Sequence, residues 1–154
     1  MARYFEKISF EQFSKDVGND ITLYNEYKLP SRDSNRTAGY DIFLLHDLEI
    51  APGQILKLPT GVKAHFEDDE VLLLAVRSSM GFKHNLRLCN QIAIIDADYY
   101  NNESNEGHMW IRIQNEGDKV VKMSKGDAVI QGVFMKYLTT DSDAQNNIKR
   151  TSNY

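Results

Sequence analysis

Ile94-Ile95-Asp96-Ala97-Asp98-Tyr99-Tyr100 ends an apolar run of strand type in two carboxylates and two phenols. Side chains alternate faces along a strand, so an unbroken strand would set Asp96 and Asp98 on one face, two like charges about 7 Å apart. A strand that stops near Asp96 avoids that repulsion. It leaves the carboxylate at the rim of a packed layer, partly desolvated, which is where a general base is made. An isolated Asp-x-Asp is equally at home in a turn, because the side chain bonds the backbone two residues on. The flanking segments have to decide.

Upstream, Val71-Leu72-Leu73-Leu74-Ala75-Val76 is apolar at every position, which predicts a strand covered on both faces. It follows the acidic tetrad Glu67 to Glu70, expected at a solvated hairpin tip, and runs straight into Arg77-Ser78-Ser79-Met80-Gly81. A cation and two hydroxyls at the end of a buried strand suit a phosphate-gripping corner, and also suit many ordinary loops. Downstream, Met109, Ile111 and Ile113 alternate with Trp110, Arg112 and Gln114, a half-buried antiparallel pattern. Lys125-Gly126-Asp127 then turns the chain into Ala128 to Phe134, an apolar strand interrupted by Gln131. A buried amide needs partners, so Gln131 is either structural glue or a ligand contact.

Toward the N-terminus, Thr37 to Leu45 reads as a loop entering a strand, and Pro52-Gly53 and Pro59-Thr60-Gly61 punctuate further short strands. Ser9-Phe10-Glu11-Gln12 has the capping-box pattern, with Phe10, Phe13 and Val17 at helical spacing up to Gly18. One short helix docked on the domain is expected there. The segment from Thr139 to Tyr154 is polar and poor in core residues, which predicts a mobile arm. Many short strands with turn signals and one N-terminal helix give an all-β fold, a distorted jelly roll or β-barrel. The expected organisation is a single β domain over residues 1–138 with a flexible arm over 139–154.

Composition narrows the function classes. At 154 residues and 42% hydrophobic the chain suits one domain with a core of its own. Its single cysteine, Cys89, excludes an internal disulfide framework and suits a reducing compartment. No Cys-x-x-Cys or His-x-x-x-His spacing suggests zinc. The charged residues Arg3, Glu6 and Lys7 exclude a secretory apolar segment, and no run reaches membrane length, so a cytoplasmic protein without a membrane partner is expected. The net charge of −4, from 22 acidic and 18 basic residues interspersed, offers no basic stripe for nucleic acid. An anionic ligand would need a locally positive pocket.

With these segments laid out, the chain resembles the trimeric deoxyuridine triphosphatase (dUTPase) family along nearly its whole length. Ala38 to Phe43 (AGYDIF) looks like the family's first motif and Arg77 to Gly81 (RSSMG) like the second. The opening stretch with upstream Asn90 looks like the third, and Gly126 to Phe134 (GDAVIQGVF) like the fourth. Arg150 to Tyr154 (RTSNY) looks like the start of the fifth, with Ser152 and Asn153 where glycines are usual. Any one of these is weak, but their order and spacing together are strong.

The resemblance implies hydrolysis of dUTP to dUMP and pyrophosphate in a homotrimer whose sites lie between subunits, with Mg²⁺ carried on the triphosphate. By similarity Asp96 deprotonates the water that attacks the α-phosphorus, with Ser78 and Gln131 completing the catalytic set. Arg77, Ser78, Ser79 and Gln131 would surround the phosphates, and Asp41 would hold the metal through a bound water. Asn90 and backbone amides of the hairpin up to Ile95 would read the uracil edge, and Tyr99 would wall the deoxyribose rather than fill the core. Arg150 would reach the terminal phosphate while Tyr154 covers the base, with closure weakened by the altered fifth motif. Ala93, where the family usually has glycine, would tighten the hairpin if that position needs unusual dihedrals.

Two rivals follow from the same residues. The related dCTP deaminases also carry R-S-S, but their catalytic glutamate would fall where Arg112 stands, and a guanidinium stays protonated. A dUTP-binding regulatory protein with impaired turnover is the alternative outside the enzymes.

Overall fold

The computed structural model describes residues 2–143. Its strands are β1 (Tyr4–Lys7), β2 (Ser31–Arg32), β3 (Tyr40–Phe43), β4 (Leu48–Ile50), β5 (Ile55–Pro59), β6 (Val62–His65), β7 (Glu70–Val76), β8 (Leu86–Leu88), β9 (Ala93–Ile95), β10 (Trp110–Asn115), β11 (Val121–Met123) and β12 (Ala128–Lys136). They form a five-stranded sheet β2-β3-β12-β7-β9, a three-stranded sheet β5-β10-β8, and the pairs β1-β6 and β11-β4. All these pairings are antiparallel. The sheets close over one core that includes Ile42, Leu72, Leu74, Met109, Ile113 and Ile130, so the chain is an all-β distorted jelly roll. On β10 the alternation read from the sequence is realised: Ile111 and Ile113 are buried, and Arg112 is exposed.

The helical content is larger than expected. Besides α1 (Phe10–Asp16) there are α2 (Ile21–Glu26) and α3 (Ser78–His84). Six residues are too few to show a 3.6-residue period, which hid α2, although the Asp20 side chain caps it by accepting from the Leu23 amide at 3.0 Å. Arg77 to Gly81, read as a corner or a loop, instead opens α3 with Gly81 inside the helix, which stops at Asn85 in the left-handed conformation (φ 54°). The capping box at Ser9 is only half formed: its hydroxyl accepts from the Gln12 amide at 3.1 Å, but the Gln12 side chain turns away to Asp16. Glu106 replaces it, accepting from both the amide and the hydroxyl of Ser9 at 2.6 Å.

A second small core of Ile8, Phe13, Leu23 and Leu45 holds this N-terminal segment to the barrel. Polar clamps do the rest. Lys63 is only 7% exposed and donates to Asn101 at 2.7 Å and Glu106 at 2.9 Å. Burial works against the charged form of Glu106, but hydrogen bonds from Ser9 and Lys63 overcome it and hold the carboxyl below its usual range. Glu70, read as part of a solvated tip, is instead 3% exposed and receives Arg3. That hydrogen bond keeps its carboxyl below the ordinary range. The tip proper, Glu67 to Asp69, is open to solvent as expected.

His108 is fully buried between α1 and the β5–β6 turn. Its Nε2 accepts from the Gly61 amide at 2.9 Å, which leaves Nδ1 as the donor to Asp16 at 2.6 Å. Burial depresses the His108 pKa below 6.5 despite the raising influence of Asp16 and Glu106. A group that gains its proton more easily when unfolded contributes stability that is present above its unfolded pKa and is lost as pH falls through the window below it. Thermal melting followed by circular dichroism should therefore show the melting temperature falling as pH drops below about 6.5. His108→Gln should flatten that dependence, and an unchanged pH slope in the variant would assign it to other groups.

Candidate active site

Several of the residues singled out in the sequence gather at the two ends of the outer face of the five-stranded sheet, Asp41, Arg77 and Gln131 at one and Asp96 at the other. Along β7, Leu72 and Leu74 point into the core while Val71, Leu73 and Ala75 are half-buried on the other side. Along β12 the outer positions are Gln131, Val133 and Met135. The strand expected to be covered on both faces is thus covered on one. Leu73 pairs with both Val133 and Ile94, and Ile94 is 65% exposed, Met135 50%. This apolar face carries candidate site residues at each end.

At one end, β3 lies against β12 with Asp41 directly opposite Gln131. Arg77, just past the last residue of β7, reaches back so that its Nε sits 3.1 Å from Asp41 Oδ1. The Arg77 amide donates to Val129 O at 2.9 Å, which ties the corner to β12. Gln131 Nε2 points to Val76 O at 3.4 Å, and Gly39 supplies the room, because a Cβ there would meet Gln131 Oε1 at 2.2 Å. Ser78 is exposed beside them, and Ser79 is half-buried on α3. An arginine, two hydroxyls and an amide with one neighbouring carboxylate make an anion-binding corner.

At the other end, β9 stops at Ile95 and a turn of 3₁₀ helix, Ala97–Tyr99, begins after Asp96. The strand does end where like-charge repulsion required. Asp96 alternates with buried Ile95 and shares the outer side with Ile94, and it is exposed rather than partly desolvated in the single chain. Ile95 is 3% exposed, so only its backbone is available to a ligand. Tyr99 needs a correction: it is 3% exposed and part of the main core, its hydroxyl donating to His108 O at 3.0 Å and accepting from Asn105 at 2.7 Å. The ring therefore fixes the turn after Asp96 from beneath instead of standing as an open wall. Gly107 packs on the same turn with φ +88°, where a Cβ would lie 2.8 Å from Tyr99 O.

The expected hairpin around Asn90 is instead a turn between two sheets: β8 pairs with β10 and β9 with β7, and the chain crosses from one to the other through Asn90. Gln91 takes the left-handed conformation (φ 66°), whereas Ala93 is regular strand, so the alanine imposes no strain. Arg87 holds the start of this turn by donating to the carbonyls of Leu88 and Cys89, both at 3.1 Å. Beneath the turn lies a groove of about 330 Å³, floored by Leu88, Ala93 and Ile111 and edged by Asn90, Lys57 and Arg112. Neither Lys57 nor Trp110 in this groove was among the site residues read from the sequence. The alternation on β10 set Trp110 and Arg112 outside, but Lys57 joins them only through the pairing of β5 with β10.

Within one chain the two groups do not meet. Ile95 pairs with Leu72, so Asp96 lies beside Val71, six residues before Arg77. At about 3.3 Å per residue, that is roughly 20 Å along β7. Arg150 and Tyr154 lie outside the described residues, as does most of the expected arm. Among the described residues no group of three or more His, Cys, Asp or Glu side chains forms a metal cage, and no helix is long and apolar enough to cross a membrane.

The dUTPase family model matches residues 25–154. The deoxyuridine 5′-triphosphate nucleotidohydrolase of Lactococcus lactis subsp. lactis is 43% identical over 125 residues, covering 80% of this chain and 83% of that protein. The crystal structure of dUTPase from Streptococcus mutans has a TM-score of 0.72 at 40% identity, over 90% of this chain and 98% of that one. A mutant dUTPase from phage phi11 of Staphylococcus aureus, whose structure reveals the coordination of a structural Mg(II) ion, shares the fold at 18% identity, with a TM-score of 0.67 over 100% of this chain and 99% of that one. The motifs that converge on the two ends of the outer face are thus matched by a family model over most of the chain and by relatives in sequence and structure, and the chain belongs to the dUTPase family.

Proposed function

We infer that this protein hydrolyses dUTP to dUMP and pyrophosphate, at sites completed between copies of the chain. The observation that carries the reading is the outer face of the five-stranded sheet. It is apolar, it is left uncovered by the described residues of its own chain, and it bears Asp96 at one end and the Asp41–Arg77–Gln131 corner at the other. A second copy on that face would bury Ile94 and Met135 and bring one chain's Asp96 toward another chain's corner. A homotrimer satisfies this with closed symmetry and identical sites. Burial at that seam would also supply the desolvation that Asp96 lacks in the single chain.

The chemistry follows from the groups. Asp96 accepts the proton of the attacking water, the phosphorus–oxygen bond to the leaving pyrophosphate breaks, and the charge that develops is met by Arg77, Ser78, Ser79 and Gln131. The Asn90 amide and the backbone of its turn receive the base in the groove below. From the arm, Arg150 would reach the terminal phosphate and Tyr154 cover the base. Mg²⁺ suits this donor set, since it keeps most of its waters and takes one or two carboxylates plus substrate phosphates, and Asp41 is the carboxylate that would hold it through water. When bound it neutralises phosphate charge. The free thiol of Cys89 supports a reducing, cytoplasmic setting.

The test is direct. With dUTP and Mg²⁺ the purified protein should release one pyrophosphate per dUMP, and chelation should suppress the release. Ammonia from dCTP, or tight dUTP binding without pyrophosphate, would overturn the reading.

A further inference from the structure

On the outer face of the β5-β10-β8 sheet, Lys57 stands directly opposite Arg112. Like charges paired across antiparallel strands repel, and a protein normally relieves that with a carboxylate nearby. Among the described residues no carboxylate lines the groove. Among the same residues neither side chain makes an ion pair or hydrogen bond; Lys57 lies 4.6 Å from the Trp110 ring centre, a cation–π contact that fixes its position. The next row of the same sheet shows the contrast: Arg87 is fully engaged, with Glu116 at 2.6 Å, Gln114 at 2.8 Å and two carbonyls. Arg112 is thus an uncommitted donor at the edge of a groove whose floor is apolar and whose other polar edge is Asn90.

A pyrimidine in that groove has its flat faces against Leu88, Ala93 and Ile111 and must present its polar rim to the edges. A guanidinium can only donate hydrogen bonds. An oxygen at C4 accepts them, whereas an amino group at C4 donates and would set two donors against each other at that edge. Sites built on such a bond discriminate strongly against an analogue that cannot make it.

We propose that Arg112, backed by Lys57, is a specificity-determining residue that selects a pyrimidine with oxygen rather than an amino group at C4. The proposal rests on the reading of the groove as the base site of a dUTP-hydrolysing enzyme. Arg112 touches the base edge and takes no part in bond breaking, so its removal acts on selection and KM while kcat for dUTP is largely kept.

Arg112→Gln is the informative variant, because a side-chain amide can present either a donor or an acceptor. The wild-type and variant proteins are compared by kcat/KM for dUTP and dCTP, and by calorimetric affinity for dUMP and dCMP, with folding checked by circular dichroism. The expected result is a fall of about tenfold or more in the uracil-to-cytosine ratio in both measurements, partly restored in Arg112→Lys. An unchanged ratio, or an equal loss on both nucleotides, overturns the proposal. Should the wild-type protein release no pyrophosphate from dUTP, the enzymatic reading fails, and the dUMP-to-dCMP affinity ratio still decides the role of Arg112.

Discussion

Asp96→Asn is expected to fold, assemble and bind dUTP like the unmodified chain while losing hydrolysis by roughly 10²–10⁴-fold, the usual weight of a positioned general base. The amide is nearly the same size and sits at the same exposed position before the 3₁₀ turn, to which the carboxylate makes no capping hydrogen bond. What it cannot do is accept the water's proton. The loss should appear in kcat, because in the proposed site the contacts to base and phosphates are made by Asn90 and the backbone of its turn, Arg112, Arg77 and Gln131. Single-turnover measurements with equilibrium binding of a non-hydrolysable dUTP analogue separate the two. Turnover within a few-fold of normal, at normal affinity, would remove Asp96 from the base role.

The position of that carboxylate was legible because it follows from local rules. A β-branched run cannot continue through two like charges on one face, so the strand ends at Ile95, and the alternation on β10 likewise announces which residues face out. What local rules do not contain is the partner across the fold. Tyr99 reads as a polar aromatic after a turn, yet the loop carrying Asn105 and His108 folds over it and makes it core. Glu70 reads as the last of four solvated acids until Arg3, far away in sequence, closes on it. The cover over Val71 to Val76 was the intermediate case: its composition asks for two buried faces, and the chain supplies one. That shortfall is informative, since an apolar face with candidate site residues at both ends points to a second copy as the missing cover. The Lys57–Arg112 pair lay wholly beyond sequence reading, because each residue alone is an ordinary surface cation on a strand.

Mixing two inactive variants should restore activity. Asp96→Asn keeps an intact Asp41–Arg77–Gln131 corner, and Arg77→Ala keeps an intact Asp96. Because about 20 Å of β7 separates the two in one chain, no subunit can join its own Asp96 to its own corner. If each site draws Asp96 from one copy and the corner from a neighbour, random exchange of equal amounts gives about a quarter of the sites both intact groups, in any closed ring of identical chains. Against parents reduced by two orders of magnitude or more, recovery to about a quarter of normal activity is a large signal. Sites built within single chains would give none, however completely the subunits exchange. Exchange is monitored independently by native mass spectrometry of the mixture, so a failure to recover activity in demonstrably mixed oligomers would count against a shared site. Arg77 also pairs with Asp41, and Arg77→Ala leaves that half-buried carboxylate without its cation, so Ser78→Ala serves as the second partner in the same experiment. Recovery with both corner variants would show that the lost group, and not a distorted corner, is what the neighbouring chain supplies.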